Sequence, residues 1–272
     1  MSDGTALDVR SDICWSDATS ITVLGRDLCH DIIGRLDFGS FAFLLLTERM
    51  PGEAEAKLFN AALVSLVEHG ITPNAMATRL THLGAPESLQ SAVAAGLLGL
   101  GSRFVGTIEG AARFVTGGAA RLTADGALDD ALDDAAVRAE AERIVADFRA
   151  RGEHVPGIGH PIHEPVDPRA EVLFEIAEAE GFPTLPVRLV RAVAAAGSEA
   201  SGRALPVNVT GAIGTVVALL GLDWRIARGL GVISRTVGLV GHLREELARP
   251  MATTLWRTTD EAATRHIHGA GA

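Results

Sequence analysis

Apolar residues recur at helical spacing along most of the chain, and glycine or proline separates the segments. The clearest case is residues 125–152, where the apolar positions share one face and charged residues lie opposite. These apolar positions are Val137, Ala141, Ile144, Val145 and Phe148. The other segments predicted to be helical are 38–47, 53–70, 86–101, 167–181, 186–197, 211–222 and 229–243. The pattern therefore predicts a mainly α protein.

Alternation typical of β-strands is scarce, and residues 20–25 are the best candidate for a short strand. No fixed-period repeat occurs. Residues 1–20 are expected to be a loose arm, and the polar tail after Trp256 is expected to fray.

The composition allows a large core, because 47% of the residues are hydrophobic. The net charge of −10 argues against a nucleic acid as the main partner, since such proteins favour a basic face. Clustered arginines can still bind an anionic ligand within an acidic protein.

Two cysteines, Cys14 and Cys29, predict neither a disulfide framework nor a zinc site, and no metal cluster follows from the spacing of histidines and acids. The longest apolar runs fall short of the roughly 20 residues that a membrane span needs. We therefore expect a soluble protein in a reducing cytoplasm, without a membrane partner.

A segment rich in histidine, proline and glycine, residues 154–172, lies between two predicted helices. Asp167 is expected to cap the second helix, which puts Arg169 in its first turn. His160 lies on the preceding glycine-rich turn. An imidazole and a guanidinium beside a positive helix end suit a carboxylate whose neighbouring carbon undergoes proton chemistry. The alternative is an ordinary helix entry with surface histidines.

Arg235 interrupts an apolar segment and needs a partner, because a lone buried charge is costly. A bound carboxylate or a distant acid could supply that partner. His69 precedes Gly70 at the predicted end of a helix, where a histidine is often only a cap.

Five motifs in one order resemble the citrate synthase superfamily. They are ITVLG to LFNA at 21–61, VEHGITPN at 67–74, VPGIGHPIHEPVDPRA at 155–170, SRTVGLVGHL at 234–243 and LARPM at 247–251. Residues 96–114 resemble citryl-CoA lyases more than citrate synthases. The synthases carry a histidine that holds the enolate oxygen there, whereas this chain reads Ser102-Arg103-Phe104.

The resemblance implies a role for each matching residue. His160 would face the hydroxyl or keto oxygen of the substrate and take the hydroxyl proton as the neighbouring bond breaks. His69, Arg169 and Arg235 would bind carboxylates of a di- or tricarboxylate. Arg249 matches an arginine supplied by the neighbouring subunit, which implies a homodimer with shared sites, or a higher oligomer.

A loop of four residues matches the place where the family's backbone contacts CoA; it consists of Pro156, Gly157, Ile158 and Gly159. Coenzyme A is therefore expected as a substrate or co-substrate, with no tightly bound cofactor. The resemblance also implies a helical fold with a small, CoA-side subdomain at about 125–225 inserted in a large one. The whole domain would span 21–257, between the arm at 1–20 and the tail at 258–272.

One position departs from the family. The catalytic aspartate follows Asn-Val in the family, whereas this chain carries Thr210 after Asn208 and Val209. Asn208 and Thr210 are nevertheless expected at the catalytic position, where they could hold a water. Glu109 and His163 are the other candidates for protonating the enolate. The function predicted is a citryl-CoA lyase, and the alternatives are a citrate synthase-type acyltransferase and a non-catalytic protein that binds CoA or dicarboxylates.

Overall fold

The computed structural model describes residues 9–123, 132–160 and 163–268, which form eleven α-helices and three short strands. The helices are α1 Phe38–Thr47, α2 Glu53–Leu66, α3 Pro73–Gly84, α4 Leu89–Leu98, α5 Gly106–Leu122, α6 Asp134–Ala150, α7 Pro168–Ala179, α8 Leu185–Ser201, α9 Val209–Leu219, α10 Ala227–Ala248 and α11 Ala252–His268. The strands are β1 Cys14–Ser16, β2 Ile21–Val23 and β3 Arg26–Asp27. The fold is therefore mainly α, as the sequence predicts.

The chain divides into two units, Met1–Asn60 and Ala61–Ala272. In the first unit the strands form an antiparallel sheet in the order β1-β2-β3. Helix α1 begins where the Asp37 carboxylate accepts the N–H of Ser40 at 2.7 Å, a cap that satisfies a free backbone donor. Phe43 and Phe59 meet edge to face with ring centroids 5.3 Å apart.

The second unit contains every side chain of the candidate site. Helices α5 and α9 pack backbone to backbone, because a Cβ at Gly214 would lie only 2.5 Å from that of Ala111. Helix α10 packs against α3 and α4 through a small apolar cluster. Its members are Ala75, Ala92, Val93, Leu239 and Leu243. Rigid helices therefore support the loops that carry the polar groups.

Several predicted elements are confirmed, and the differences have local causes. The strand predicted at 20–25 is β2, whereas β1 lies inside the predicted arm. The structure does not describe residues 124–131, so the prediction of helix at 125–131 lies outside the described residues. The prediction of a frayed tail after Trp256 is wrong for residues 257–268, because α11 continues to His268.

The predicted helix at 53–70 is too long, because α2 ends at Leu66. His69 therefore lies in a turn beyond the helix, and Gly70 follows with a φ of 74°. Left-handed backbone of this kind suits glycine, so the chain reverses there. Among the described helices, none has both the length and the apolar character needed to cross a membrane.

Candidate active site

Three imidazoles lie close together in the second unit. Two of them are on one loop, and the third is distant in sequence. The rings of His160 and His163 stack with centroids 4.4 Å apart. The ring of His69 lies 6.1 Å from His160 and 5.9 Å from His163. The sequence left open whether His163 is a proton donor or a surface histidine, and the structure places it half-buried against His160. We call these three residues the imidazole cluster.

The loop fixes the tautomer of His160. The backbone N–H of His163 donates to Nδ1 of His160 at 2.9 Å. A neutral ring whose Nδ1 accepts must carry its proton on Nε2. Burial is the main cause of a lowered pKa of His160, and the nearby charge of His163 adds to it, so the ring favours the neutral form. His160 is therefore suited to donate from Nε2 to a substrate oxygen, which corrects the expectation that it takes the hydroxyl proton.

The loop formed by Pro156, Gly157, Ile158 and Gly159 is clamped to the start of α9. Gly157 has a φ of 79°, and a Cβ there would lie 2.5 Å from the Cα of Gly211. The N–H of Gly159 donates to the carbonyl of Pro206 at 2.7 Å, and Ile158 forms a β-bridge with Val207. The N–H groups of Ile158 and Gly159 are thus used inside the protein. A contact with CoA stays a prediction and would rest on the other groups of the loop.

Asp167 is fully buried and ties two helix starts together. Its carboxylate accepts from the N–H of Val209 at 2.9 Å and from Nη2 of Arg169 at 2.8 Å. Burial alone would raise its pKa, but these donated hydrogen bonds outweigh burial and hold the pKa below its ordinary value. Asp167 therefore fixes the direction of Arg169 and leaves Nη1 of that arginine for other ligands. The sequence identified Asp167 only as a helix cap. Its position two residues before Arg169 could have predicted the ion pair between them.

Arg235 is brought toward the same region on α10. Its Nη1 atom is buried and has no hydrogen-bond partner among the described residues. Burial lowers the pKa of Arg235, Glu68 opposes that effect, and the positive charge of Arg169 adds to it. A buried donor without a partner is costly, so an anion placed here would satisfy both guanidinium groups.

Asn208 and Thr210 build the loop rather than present free groups. The Asn208 side chain accepts the N–H of Thr210 at 3.0 Å and donates to the carbonyl of Gly159 at 2.6 Å. The Thr210 hydroxyl donates to Oδ1 of Asn208 at 2.7 Å and lies 2.9 Å from the hydroxyl of Thr107. The proton of Thr210 is therefore held by Asn208, and the catalytic role expected for Asn208 and Thr210 stays a prediction.

Two other predicted residues are paired with side chains outside the imidazole cluster. Glu109 is paired with Arg228 at 3.0 Å, so its carboxylate has a cation partner. Arg249 is 81% exposed in its side chain and lies 3.3 Å from a carboxylate oxygen of Glu245. The described residues show no contact between Arg249 and the imidazole cluster, and its role in a second subunit stays a prediction.

The imidazole cluster also has the composition of a metal site. Ring nitrogens of His69, His160 and His163 lie within 4.8 Å of one another, although spacing in the sequence predicted no such group. Metal–nitrogen bonds of about 2 Å would require the rings to approach further. Arg169 and Arg235 make the local field positive, since Arg169 lowers the pKa of both His160 and Arg235. The charges therefore favour an anion over a cation.

Residues 24–259 match the protein family described as citrate synthase, C-terminal domain. The chain belongs to the citrate synthase family. It resembles the structure of citryl-CoA lyase from Hydrogenobacter thermophilus with a TM-score of 0.77 and 31% identity, over 89% of this chain and 88% of that one. An ATP citrate lyase mutant of Methanosaeta concilii in complex with (3S)-citryl-CoA shares the fold, with a TM-score of 0.71 and 23% identity over 89% of this chain and 39% of that one.

Curated relatives also match most of this chain. A probable ATP-citrate synthase subunit 1 of Neurospora crassa is 27% identical over 80% of this chain. A putative citrate synthase 2 of Mycobacterium bovis is 26% identical over 77% of this chain and 54% of its own length. The chain spans only 32% of the Neurospora protein and 38% of a related Dictyostelium discoideum protein. The family is therefore shown, whereas the activities of those longer proteins are not transferred.

In this member of the citrate synthase family, Asp167→Asn removes the charge that pairs with Arg169. We expect a loss of about 3 kcal/mol in the free energy of unfolding at pH 7. Because the folded pKa of Asp167 is depressed, its stabilisation is present above the unfolded pKa and is lost as the pH falls through the folded pKa. Urea unfolding at neutral pH and at about pH 3 measures both effects, and the variant should lose less stability on acidification.

The matched control is Asp223→Asn, since Asp223 caps a helical turn and pairs with Arg225 at the same spacing but in an exposed place. We expect a much smaller loss there. An equal loss in both variants would contradict the structural importance of the buried pair.

Arg235→Met should stabilise the ligand-free protein by roughly 1 kcal/mol, because it removes a buried cation whose Nη1 lacks a partner. Arg79→Met should instead destabilise by about 3 kcal/mol or more, since Arg79 is fully buried and paired with Glu246 at 2.7 Å. Urea unfolding without added anions measures both changes. A loss of stability in Arg235→Met as large as that in Arg79→Met would mean that Arg235 has a structural partner.

Proposed function

We propose that this chain is a carbon–carbon lyase that cleaves citryl-CoA, or a related 3-hydroxyacyl-CoA, to acetyl-CoA and a keto acid such as oxaloacetate. The observation that carries the proposal is the buried Nη1 of Arg235, which has no hydrogen-bond partner among the described residues, in a region that also holds Arg169 and the imidazole cluster. The likeness to a citryl-CoA lyase over most of both chains supports the same reaction class.

Each group has a role in this proposal. Arg169 and Arg235 bind substrate carboxylates, and His160 donates from Nε2 to the substrate hydroxyl oxygen. The hydroxyl proton passes to the imidazole of His69 or His163 as the carbon–carbon bond breaks. The electron pair of that bond becomes the enolate of acetyl-CoA, whose carbon then takes up one proton. One proton is thus released and one is consumed.

Coenzyme A enters this proposal as the thioester group of the substrate and product, rather than as a tightly bound cofactor. The loop at 156–159 is placed on the side of α5 and α9, where Pro156 approaches Gly110 and Gly157 touches Gly211. We also propose a homodimer in which Arg249 of a second copy completes the carboxylate site. Its high exposure at the end of α10 leaves it accessible to another chain.

A second candidate is a protein that binds the CoA thioester or a dicarboxylate without turnover. Thr210 favours it, because the threonine hydroxyl is held by Asn208 and does not release a proton readily near neutral pH. Condensation, as in a citrate synthase, uses the same groups in reverse. The absence of a histidine at 102–104 makes condensation the weaker candidate.

Incubation of the purified chain with citryl-CoA should release acetyl-CoA and oxaloacetate, measured by mass spectrometry and by NADH-coupled reduction of the keto acid. His160→Asn is the sharpest variant, because its side-chain oxygen can still accept the N–H of His163 while the Nε2 donor is lost. We expect kcat to fall by about 100-fold to 1,000-fold with the melting temperature unchanged.

The control is His154→Asn, on the exposed approach to the same loop, which should keep full activity. If citryl-CoA raises the melting temperature of the wild-type chain but is not cleaved, the binding-only candidate replaces the lyase. In that case Thr210→Asp, which places a carboxyl group where the family carries aspartate, is the variant expected to gain turnover.

A further inference from the structure

Arg79 lies on α3 and is fully buried, yet three side chains of α10 receive its hydrogen bonds. Its Nη1 donates to Glu246 at 2.7 Å, and its Nη2 donates to Glu245. Its Nε and Nη2 lie 3.2 and 2.9 Å from Nδ1 of His242. A buried guanidinium with this many partners fixes the position of each of them.

The contact with Arg79 determines the protonation of His242. An arginine only donates, so Nδ1 of His242 must accept, and the neutral ring carries its proton on Nε2. That nitrogen lies 3.1 Å from Oε1 of Glu68. His242 therefore links Arg79 by hydrogen bonds to Glu68, whose carboxylate lies in the turn after α2.

Glu68 in turn holds the backbone that carries His69. Its Oε1 accepts the N–H of His69 at 2.9 Å and that of Gly70 at 2.6 Å. Helix α10 passes directly over this turn, because a Cβ at Gly238 would lie 2.0 Å from the carbonyl oxygen of Val67. Only glycine allows this approach. The turn is therefore held both by the Glu68 carboxylate and by the packing of Gly238 against Val67.

One face of α10 thus serves two purposes. Arg235, Gly238 and His242 are spaced three and four residues apart, which places them on the same side of the helix. Arg235 lies near enough to Arg169 and Glu68 for their charges to act on it, whereas His242 contacts Glu68 in the turn that carries His69. The distance between Arg235 and His69 is therefore set by a single rigid helix.

We propose that Glu68 is a positioning residue, held by His242 and Arg79, which directs the imidazole of His69 toward the carboxylate that Arg235 binds. The proposal rests on the proposed function, because it assigns His69 to the same ligand. Glu68 does not itself touch the ligand in this account. Its effect comes from the two backbone N–H groups that it holds.

Two variants of Glu68 separate positioning from simple electrostatics. Both Glu68→Ala and Glu68→Gln remove a negative charge that acts on Arg235, so electrostatics alone predicts tighter binding of an anion in both. Glu68→Gln keeps an oxygen that can accept from His69 and Gly70, whereas Glu68→Ala loses it. Positioning therefore predicts weaker binding in Glu68→Ala alone. Glu68 is half-exposed, so both variants should fold.

The experiment is isothermal titration of citrate, with hydrogen–deuterium exchange of residues 66–72 in the same proteins. We expect Glu68→Ala to bind citrate about tenfold more weakly or worse, with faster exchange of the turn. Glu68→Gln should stay within about threefold of the wild type. His242→Asn keeps an acceptor for Arg79 but loses the donor to Glu68, so it should shift in the direction of Glu68→Ala. Glu261→Ala, an exposed change on α11, is the control and should have no effect.

Binding of citrate by Glu68→Ala as tight as that by the wild type would overturn the proposal. If the wild type itself binds no citrate, the positioning claim is judged on the imidazole NMR signals of His69, and the proposed function is judged separately by cleavage of citryl-CoA. A change of those signals in Glu68→Ala but not in Glu68→Gln supports positioning. Identical signals in all three proteins contradict it.

Discussion

The account depends on a guanidinium that the fold buries without satisfying. Nη1 of Arg235 lacks a hydrogen-bond partner among the described residues. The neighbouring positive charge of Arg169 further disfavours the charged form of Arg235 and lowers its pKa. Proteins rarely leave such a donor buried without a reason, because its lost hydration is not compensated. An anion bound beside Nη1 would accept this hydrogen bond and offset that cost. The same missing hydrogen bond therefore destabilises the ligand-free protein and favours the binding of an anion.

Carboxylates that never face the ligand hold this arrangement in place. Asp167 fixes Arg169 from the α7 side and captures the start of α9 through the N–H of Val209. Glu68 holds the turn of His69 and is itself fixed through His242. Each acid accepts its hydrogen bonds within the protein, whereas Nη1 of Arg235 has no such partner among the described residues. In the proposed function, this is how an anion site is built inside a chain of net charge −10.

Helical periodicity and capping residues predicted most of the fold, because those signals are local. Asp167 and Pro168 mark the start of α7 in the sequence as they do in the structure. Local signals could not show that His163 stacks on His160, or that His69 joins them, since both contacts depend on how the loop folds over the turn. They also gave no reason to connect Glu68, Arg79 and His242, which lie on three separate elements. The resemblance singled out the candidate site residues. The hydrogen bonds then assigned the tautomer of His160 and showed that the Thr210 hydroxyl donates to Asn208.

The most direct measurement is a crystal structure of the protein with bound citrate. The account predicts a carboxylate oxygen within about 3.2 Å of Nη1 of Arg235, with a second carboxylate near Arg169 and the citrate hydroxyl facing Nε2 of His160. Citrate bound away from Arg235, or a protein side chain paired with Nη1 while citrate occupies another place, would contradict it.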